Sequence, residues 1–337
     1  MSQSPLLLDV DNLGVEYELP TGKFSVVDAV SLQIQKGESV GLVGESGCGK
    51  SVTALAIMGL IDPPGNINAG EVRLRGEDLF RLTRKQRRMY LGRDLSMVFQ
   101  EPASSLNPCF TIGDQLVEVL SLHTRLDRNQ RRQRAIELLK VVGISDAEKC
   151  FKAWPHQLSG GMNQRVMIAM AISCNPSLLI ADEPTTALDV TIQAKILALL
   201  SRLQQTNHMA MLLITHDLLL LPGVVQRVVV MYAGQVVEVC TVEELFDYPL
   251  HPYTEALLKS LPVNFTGRAD LMLSIEGTPP KAGEIVAGCR FHPRCEHARD
   301  QCRQRVPELE IVEQSGQRKV RCLFPLNNTE ADRHKGA

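Results

Sequence analysis

No stretch of this 337-residue chain is apolar for anything near the ~20 residues that a membrane-spanning helix requires. A chain without such a run is expected to serve a membrane only as a docked subunit. The first residues, MSQSPLLLDVDN, lack the basic start and long apolar stretch of a secretory signal, so a cytosolic chain is expected. Charge imbalance is missing too. Lys and Arg number 36 against 38 Asp and Glu, a net charge of −2, which gives no reason to expect a nucleic-acid or membrane-surface binder. Two local basic stretches, Arg81 to Arg88 and Arg125 to Arg134, read as solvated helix faces rather than phosphate-binding patches. There is no internal repeat and no low-complexity tract.

What remains is the balance of a soluble protein with a substantial core: 44% hydrophobic and 22% charged residues. The length suits one large domain plus a smaller one, or two medium ones. Nine cysteines are unevenly placed. Cys48, Cys109, Cys150, Cys174 and Cys240 are scattered, whereas Cys289, Cys295, Cys302 and Cys322 crowd near the end. A cytosolic protein rarely keeps structural disulfides, so such a cluster reads first as a metal site.

Residues 5–17 and 24–43 read as strand segments separated by the turn-prone Pro20-Thr21-Gly22, and Ser39 to Val43 is a buried strand entering a glycine-rich loop. Ser51 to Leu60 reads as helix, Pro63 to Gly70 as turn, and Glu71 to Leu74 as strand. Helical spacing then covers 111–142, Gly161 to Ser173 and Val190 to Gln205. Leu178 to Ala181, Met211 to Thr215 and Val228 to Met231 are further strands. This alternation predicts a parallel sheet covered on both faces. Near residue 262 the rhythm stops, and Gly277 to Pro280 marks a boundary. The tail has few long apolar runs and needs another source of stability.

Three motifs carry chemistry. Gly44-Glu45-Ser46-Gly47-Cys48-Gly49-Lys50-Ser51, followed by Val52, fits the phosphate-loop pattern after a buried strand and at a helix start. Its glycines turn backbone N–H groups onto phosphate oxygens and the helix start adds positive potential. Lys50 is expected to reach the β- and γ-phosphates, and Ser51 to hold Mg²⁺. Cys48 fills a variable place and adds an expected sensitivity to oxidation. About 130 residues on, the apolar strand Leu178 to Ala181 ends in Asp182 and Glu183. Asp182 would complete the Mg²⁺ shell, and Glu183 would orient and deprotonate an attacking water. Together these motifs mean an α/β P-loop NTPase. The third, Leu158-Ser159-Gly160-Gly161-Met162-Asn163-Gln164-Arg165, opens a predicted helix with a second anion cradle. One chain does not need two cradles for one γ-phosphate, so this one is expected to face the ATP of a partner domain.

With LSGGxxQR in that place, the chain resembles the ABC transporter ATPases over roughly residues 5–260. The resemblance implies that Tyr17 stacks on adenine and that Gln100, in Met97-Val98-Phe99-Gln100-Glu101-Pro102, contacts Mg²⁺ or water and links to the membrane subunit. It implies that Ala187-Leu188-Asp189 crosses the dimer seam, and that His216 hydrogen-bonds the γ-phosphate and holds Glu183 in place. It also implies antiparallel β and helical subdomains on the core, the latter at about 101–165.

His251-Pro252-Tyr253-Thr254-Glu255-Ala256-Leu257 resembles the segment that closes the nucleotide-binding domain in dipeptide/oligopeptide importers. Gly288 to Cys295, then Cys302 and Cys322, resembles their C-terminal extension. Ala103 to Pro108 and Pro184 to Thr191 agree. The expected domains are therefore a nucleotide-binding domain over 1–262 and a four-cysteine extension over 263–337. The spacing C-x5-C-x6-C-x19-C differs from the ferredoxin run and by itself leaves zinc, with His292 or His297 as alternative ligands, and free thiols open. The resemblance favours a [4Fe–4S] cluster.

Within the family the resemblance is to D-type subunits. It implies a second ATPase of the F type, two integral-membrane permease subunits, an extracytoplasmic peptide-binding protein, and a peripheral place on the cytoplasmic face of the bacterial inner membrane. Nickel chelates, glutathione or antimicrobial peptides are alternative cargoes. A soluble non-transport ABC ATPase is the competing class, although such proteins commonly carry a fused second cassette or a long coiled coil that this chain lacks.

Overall fold

The computed structural model describes residues 6–20, 22–186, 188–261, 275–280, 284, 286–312 and 318–326. In chain order the elements begin with β1 (Leu6–Leu19), β2 (Gly22–Gln35), β3 (Ser39–Val43), α1 (Lys50–Met58), β4 (Gly65–Leu74) and β5 (Glu77–Asp78). Next come α2 (Arg84–Arg87), β6 (Leu95–Val98), α3 (Pro102–Ser105), α4 (Ile112–His123), α5 (Arg128–Val141), α6 (Ala147–Lys152) and α7 (Gly160–Ala171). The chain continues through β7 (Leu178–Asp182), α8 (Val190–Asn207), β8 (Ala210–Thr215), β9 (Arg227–Tyr232), β10 (Gln235–Thr241), α9 (Val242–Asp247) and α10 (Pro252–Lys259). It closes with α11 (Asp300–Gln304), β11 (Glu310–Ile311) and β12 (Lys319–Val320). Among the described residues no helix is long and apolar enough to cross a membrane.

One sheet runs in the order β2-β1-β4-β5. Here the sequence reading is corrected, because Pro63 to Gly70 is not all turn: β4 already begins at Gly65. A Cβ on Gly70 would lie 2.6 Å from Asn12 O and Leu13 Cα. The glycine that looked like a breaker instead lets two backbones pass closely.

The chain forms two compact units. One comprises Met1–Asp9, Gln33–Ser39 and Val72–Ile214. In it β6 pairs with β7, and β7 with β8, all parallel, with Leu95 opposite Leu178 and Leu178 opposite Ala210. Every residue of these three strands is buried. That is why they read as continuous apolar runs rather than alternating ones. Helices α4 to α7 pack on one another over a core that includes Ile112, Leu116, Leu120, Leu138 and Leu139. The single helical stretch expected at 111–142 is two helices. Thr111 and Asp127 each start one with a reciprocal side-chain cap, to Asp114 and Gln130 respectively. Both basic stretches lie on exposed or half-exposed surface, as expected of solvated faces.

The other unit comprises Val10–Leu32, Val40–Glu71 and Thr215–Ala337. Its strand β3 pairs parallel with β9, Val40 opposite Arg227. The expectation of a wholly parallel sheet is corrected at this side: β9 pairs antiparallel with β10, β10 with β12, and β12 with β11. Ala233 and Gly234 both take positive φ, 46° and 84°, which suits a tight hairpin between β9 and β10. The tail therefore adds strands to the sheet that carries the phosphate loop, with Glu238 opposite Val320. The expected division at 262 falls outside the described residues.

Candidate nucleotide site and cysteine cavity

The buried strand β3 delivers the chain into Gly44, whose φ is 152° and whose Cβ, if present, would sit 2.2 Å from Met231 O. Only glycine fits there. Gly49, at φ 102°, starts α1 without a side-chain cap, the arrangement that leaves a helix start suited to an anion. Lys50 is 4% exposed, and its ammonium donates to Gly44 O at 2.8 Å and Glu45 O at 2.9 Å. The cation thus rests on loop carbonyls that phosphate oxygens can replace. Ser46 and Gly47 are exposed, and Ser51 and Val52 half-buried. Cys48 is 5% exposed and burial pushes its thiol pKa up. Both effects work against oxidation, so the expected redox sensitivity of the loop is corrected. In the same unit Tyr17 lies half-buried on β1, its ring against Gly65, and His216 is exposed in the loop after β8.

At the end of β7, Asp182 is 4% exposed. Glu183 follows with φ 42°, a left-handed conformation that costs a side-chain-bearing residue about 1 kcal/mol or more. It is held there on several sides. Its N–H donates to Ile214 O at 3.0 Å, and its carboxylate accepts from Gln100 Nε2 at 3.1 Å and from Thr186 Oγ1 at 2.8 Å. Gln100 and Glu183, separated by 83 residues, are thus joined directly. Thr186 was missed by sequence reasoning. Its only signal was a hydroxyl three residues beyond the glutamate.

Ser159 caps α7, its hydroxyl accepting from Met162 N at 3.4 Å. Ser159 and Gly160 are exposed, while Gly161 is buried beside Ile192. Gln164 is buried, and its Nε2 has no hydrogen-bond partner among the described residues. Asp189 is exposed and caps α8, accepting from Ile192 N at 2.9 Å. Ala187 lies outside the described residues.

The four tail cysteines line one cavity in the second unit, together with His251, Phe291, His292, His297 and Phe324. None of the four forms a disulfide. Gly288, at φ 70°, lets Cys289 N–H donate to Cys302 O at 2.8 Å, and a Cβ there would lie 2.3 Å from that oxygen. Burial pushes the Cys295 thiol up to about 11 and Cys322 up to about 12. As free thiols they are protonated near neutral pH. Among the described residues no three His, Cys, Asp or Glu side chains are arranged to hold one metal ion. The cavity adjoins α10, whose start is capped by His251: Nδ1 accepts from Tyr253 N at 3.0 Å.

Two family models match the chain: ABC transporter over residues 27–186, and oligopeptide/dipeptide transporter, C-terminal region, over residues 237–302. The dipeptide transport ATP-binding protein DppD of Escherichia coli is 49% identical over 322 residues, 96% of this chain and 98% of that one. The oligopeptide transport ATP-binding protein AppD of Bacillus subtilis is 51% identical over 319 residues, 94% of this chain and 96% of that one. Among solved structures, the dimeric post-hydrolysis ATP-binding cassette MJ0796, bound to ADP and Pi, superposes with a TM-score of 0.64 at 28% identity. That match covers 70% of this chain and 99% of the cassette. A phosphate loop with its lysine preset, a glutamate fixed at a strand end, a capped glycine cradle and a four-cysteine tail thus occur together in a chain of matching sequence: it belongs to the ATP-binding subunits of ABC transporters, in the dipeptide/oligopeptide importer family.

Proposed function

We propose that this chain hydrolyses ATP to drive import of dipeptides or oligopeptides across the bacterial inner membrane. It works on the cytoplasmic face as one of two ATPases, the other of the F type. The observation that carries the reading is the Glu183 carboxylate, fixed at a strand end by Gln100 and Thr186. A general base must be held in place before it is useful. Lys50 and the N–H groups of residues 44–51 bind the phosphates, and Tyr17 stacks on adenine. Water attacks the γ-phosphorus, the bond to the ADP oxygen breaks, and Glu183 takes the water's proton while His216 stabilises the γ-phosphate. Ser51, Gln100 and Asp182 are all oxygen donors, which suits Mg²⁺, and they would hold the ion that neutralises phosphate charge.

Ser159, Gly160, Gly161 and Gln164 build the cradle for the partner's ATP, with Asp189 at the seam. ATP then favours the closed pair because both subunits contact the γ-phosphate only there. Two permease subunits, gripped near Gln100, follow the closure, and an extracytoplasmic binding protein delivers peptide. In the full complex, Glu183→Gln is expected to bind ATP as the parent does while hydrolysis falls about 100-fold or more. Parental hydrolysis by that variant would overturn the reading.

The tail, which we take as a unit over 263–337 beside a cassette over 1–262, is read as carrying a [4Fe–4S] cluster. Four thiols on one cavity are the donor set such a cluster takes. The cluster's chemistry would be to tie together a tail poor in apolar core. Protein purified without air is expected to carry about four irons per chain with broad visible absorbance, both lost in Cys289→Ser. Zinc, or no metal, would overturn this.

A further inference from the structure

The tail makes a second connection, to the phosphate loop, and it needs no metal. Arg294 stands in the turn His292–Arg294, directly before Cys295, and its side chain is 4% exposed. Its guanidinium grips Glu45 of the phosphate loop as a fork: Nη1 donates to Oε2 at 2.7 Å and Nη2 to Oε1 at 3.0 Å. Two parallel charge-assisted bonds are the strongest and most directional form of such a pair. The remaining N–H directions are also used. Nε donates to Glu276 O at 3.0 Å, Nη2 to Ile275 O at 3.2 Å, and Nη1 to Tyr232 Oη at 3.4 Å. All five donors of the side chain thus find acceptors, and the group has no spare one for a phosphate. Its chemistry is spent on holding the loop.

The same loop is held at two further points by residues of the cassette itself. Glu45 N–H donates to Tyr253 Oη at 2.8 Å, and Tyr253 packs on Tyr232 and Phe291 with ring centroids 4.6 and 5.4 Å away. Gly234 N–H donates to Cys48 O at 2.9 Å, while Arg290, beside Cys289, donates to Ala233 O and to the Asp28 carboxylate. Glu45 matters because its backbone oxygen is one of the two carbonyls on which Lys50 Nζ rests. Where Glu45 sits decides where the ammonium sits.

We propose that Arg294 is a positioning residue of the phosphate loop, fixing Glu45 and through it Lys50, so that nucleotide affinity depends on a turn of the cysteine-bearing tail. This rests on the reading of residues 44–51 as the ATP site. Arg294 touches no reacting atom, so its loss acts on binding and leaves turnover at saturation largely alone.

The test uses the full chain and a fluorescent ATP analogue, with hydrolysis followed in the assembled complex. Arg294→Met is expected to weaken the analogue about tenfold and raise KM for ATP by a similar factor, with kcat changed less than about twofold. Arg294→Lys keeps the charge but not the fork and is expected to fall between. Glu45→Gln alone is expected to cost about as much as Arg294→Met, and the double variant no more than either, because one contact is lost in all three. Circular dichroism and thermal melts check folding, and Arg294→Lys keeps the test valid if Arg294→Met does not fold. Lys50→Ala separates the two levels. If it binds the analogue normally, the nucleotide site itself is misassigned. If it abolishes binding while Arg294→Lys and Glu45→Gln bind like the parent, or the losses in the double variant add, the proposal for Arg294 is overturned.

Discussion

Glu183 sits in a left-handed backbone conformation with its carboxylate bonded to Gln100 and Thr186. Removing one of those bonds frees the proposed base without removing it. Thr186→Val keeps shape and deletes the donor, so kcat is expected to fall roughly ten- to a hundredfold, about the worth of one hydrogen bond to a charged group, with KM for ATP unchanged. Steady-state kinetics of the complex decides it, and an unchanged kcat would remove Thr186 from the machinery. A second residue, His251, gives a pH signature. It is 1% exposed, burial pushes its pKa down to about 3, and its neutral Nδ1 caps α10. An unfolded histidine takes its proton near pH 6.5. Below that pH the unfolded chain binds a proton that the folded chain refuses, so stability is lost as pH falls from about 6.5 towards 3, by up to ~1.4 kcal/mol per pH unit. His251→Asn retains an acceptor but cannot titrate, so the parent-minus-variant difference in urea midpoints is expected to shrink as pH falls below about 6.5. Parallel pH profiles would contradict it.

The informative element is α7, which opens on Ser159 as its cap and on two glycines. An ordinary N-cap replaced by alanine costs about 1 kcal/mol and nothing else. If the cap also faces a partner's phosphate, Ser159→Ala is expected to lose stability by that small amount and to lose hydrolysis in the complex by tenfold or more. A melting curve and an activity assay on one preparation separate the two roles. A stability loss with full activity would make Ser159 a cap and no more. Sequence could announce this element because its signal lies within eight consecutive residues. It could not announce β12, whose two residues have no periodicity of their own and become a strand only by pairing with β10 and β11.

Across the whole second unit, the tail and the cassette sheet are fastened through charge as well as through strands. Glu238 on β10 is fully buried, accepts from Leu250 N and His251 N at 2.9 Å, and has Arg318 of the tail 3.7 Å away. The Arg318 side chain is 4% exposed and also reaches Tyr248 O. Breaking such a pair leaves a buried carboxylate without its cation. Arg318→Met is expected to destabilise the protein by ~3 kcal/mol in denaturant unfolding, whereas the paired change with Glu238→Gln recovers part of the loss. An unchanged midpoint for Arg318→Met would show that the tail is an independent appendage.

By itself the sequence determined the class of machine. The phosphate loop, the Asp182–Glu183 strand end and the glycine cradle are contiguous motifs, each legible because its signal lies within a few consecutive residues. It was also right about the buried strands, since strands covered on both faces leave an unbroken apolar run. Only the tertiary structure decided that Gly70 serves a strand rather than a turn, that Thr186 shares Glu183 with Gln100, and that the tail continues the sheet of the phosphate loop. It alone set Arg294 on Glu45, 249 residues away along the chain. An arginine in a turn and a glutamate in a variable loop position carry no mutual mark in sequence. Their pairing follows from burying the guanidinium, whose charge would be too costly to keep unpaired there.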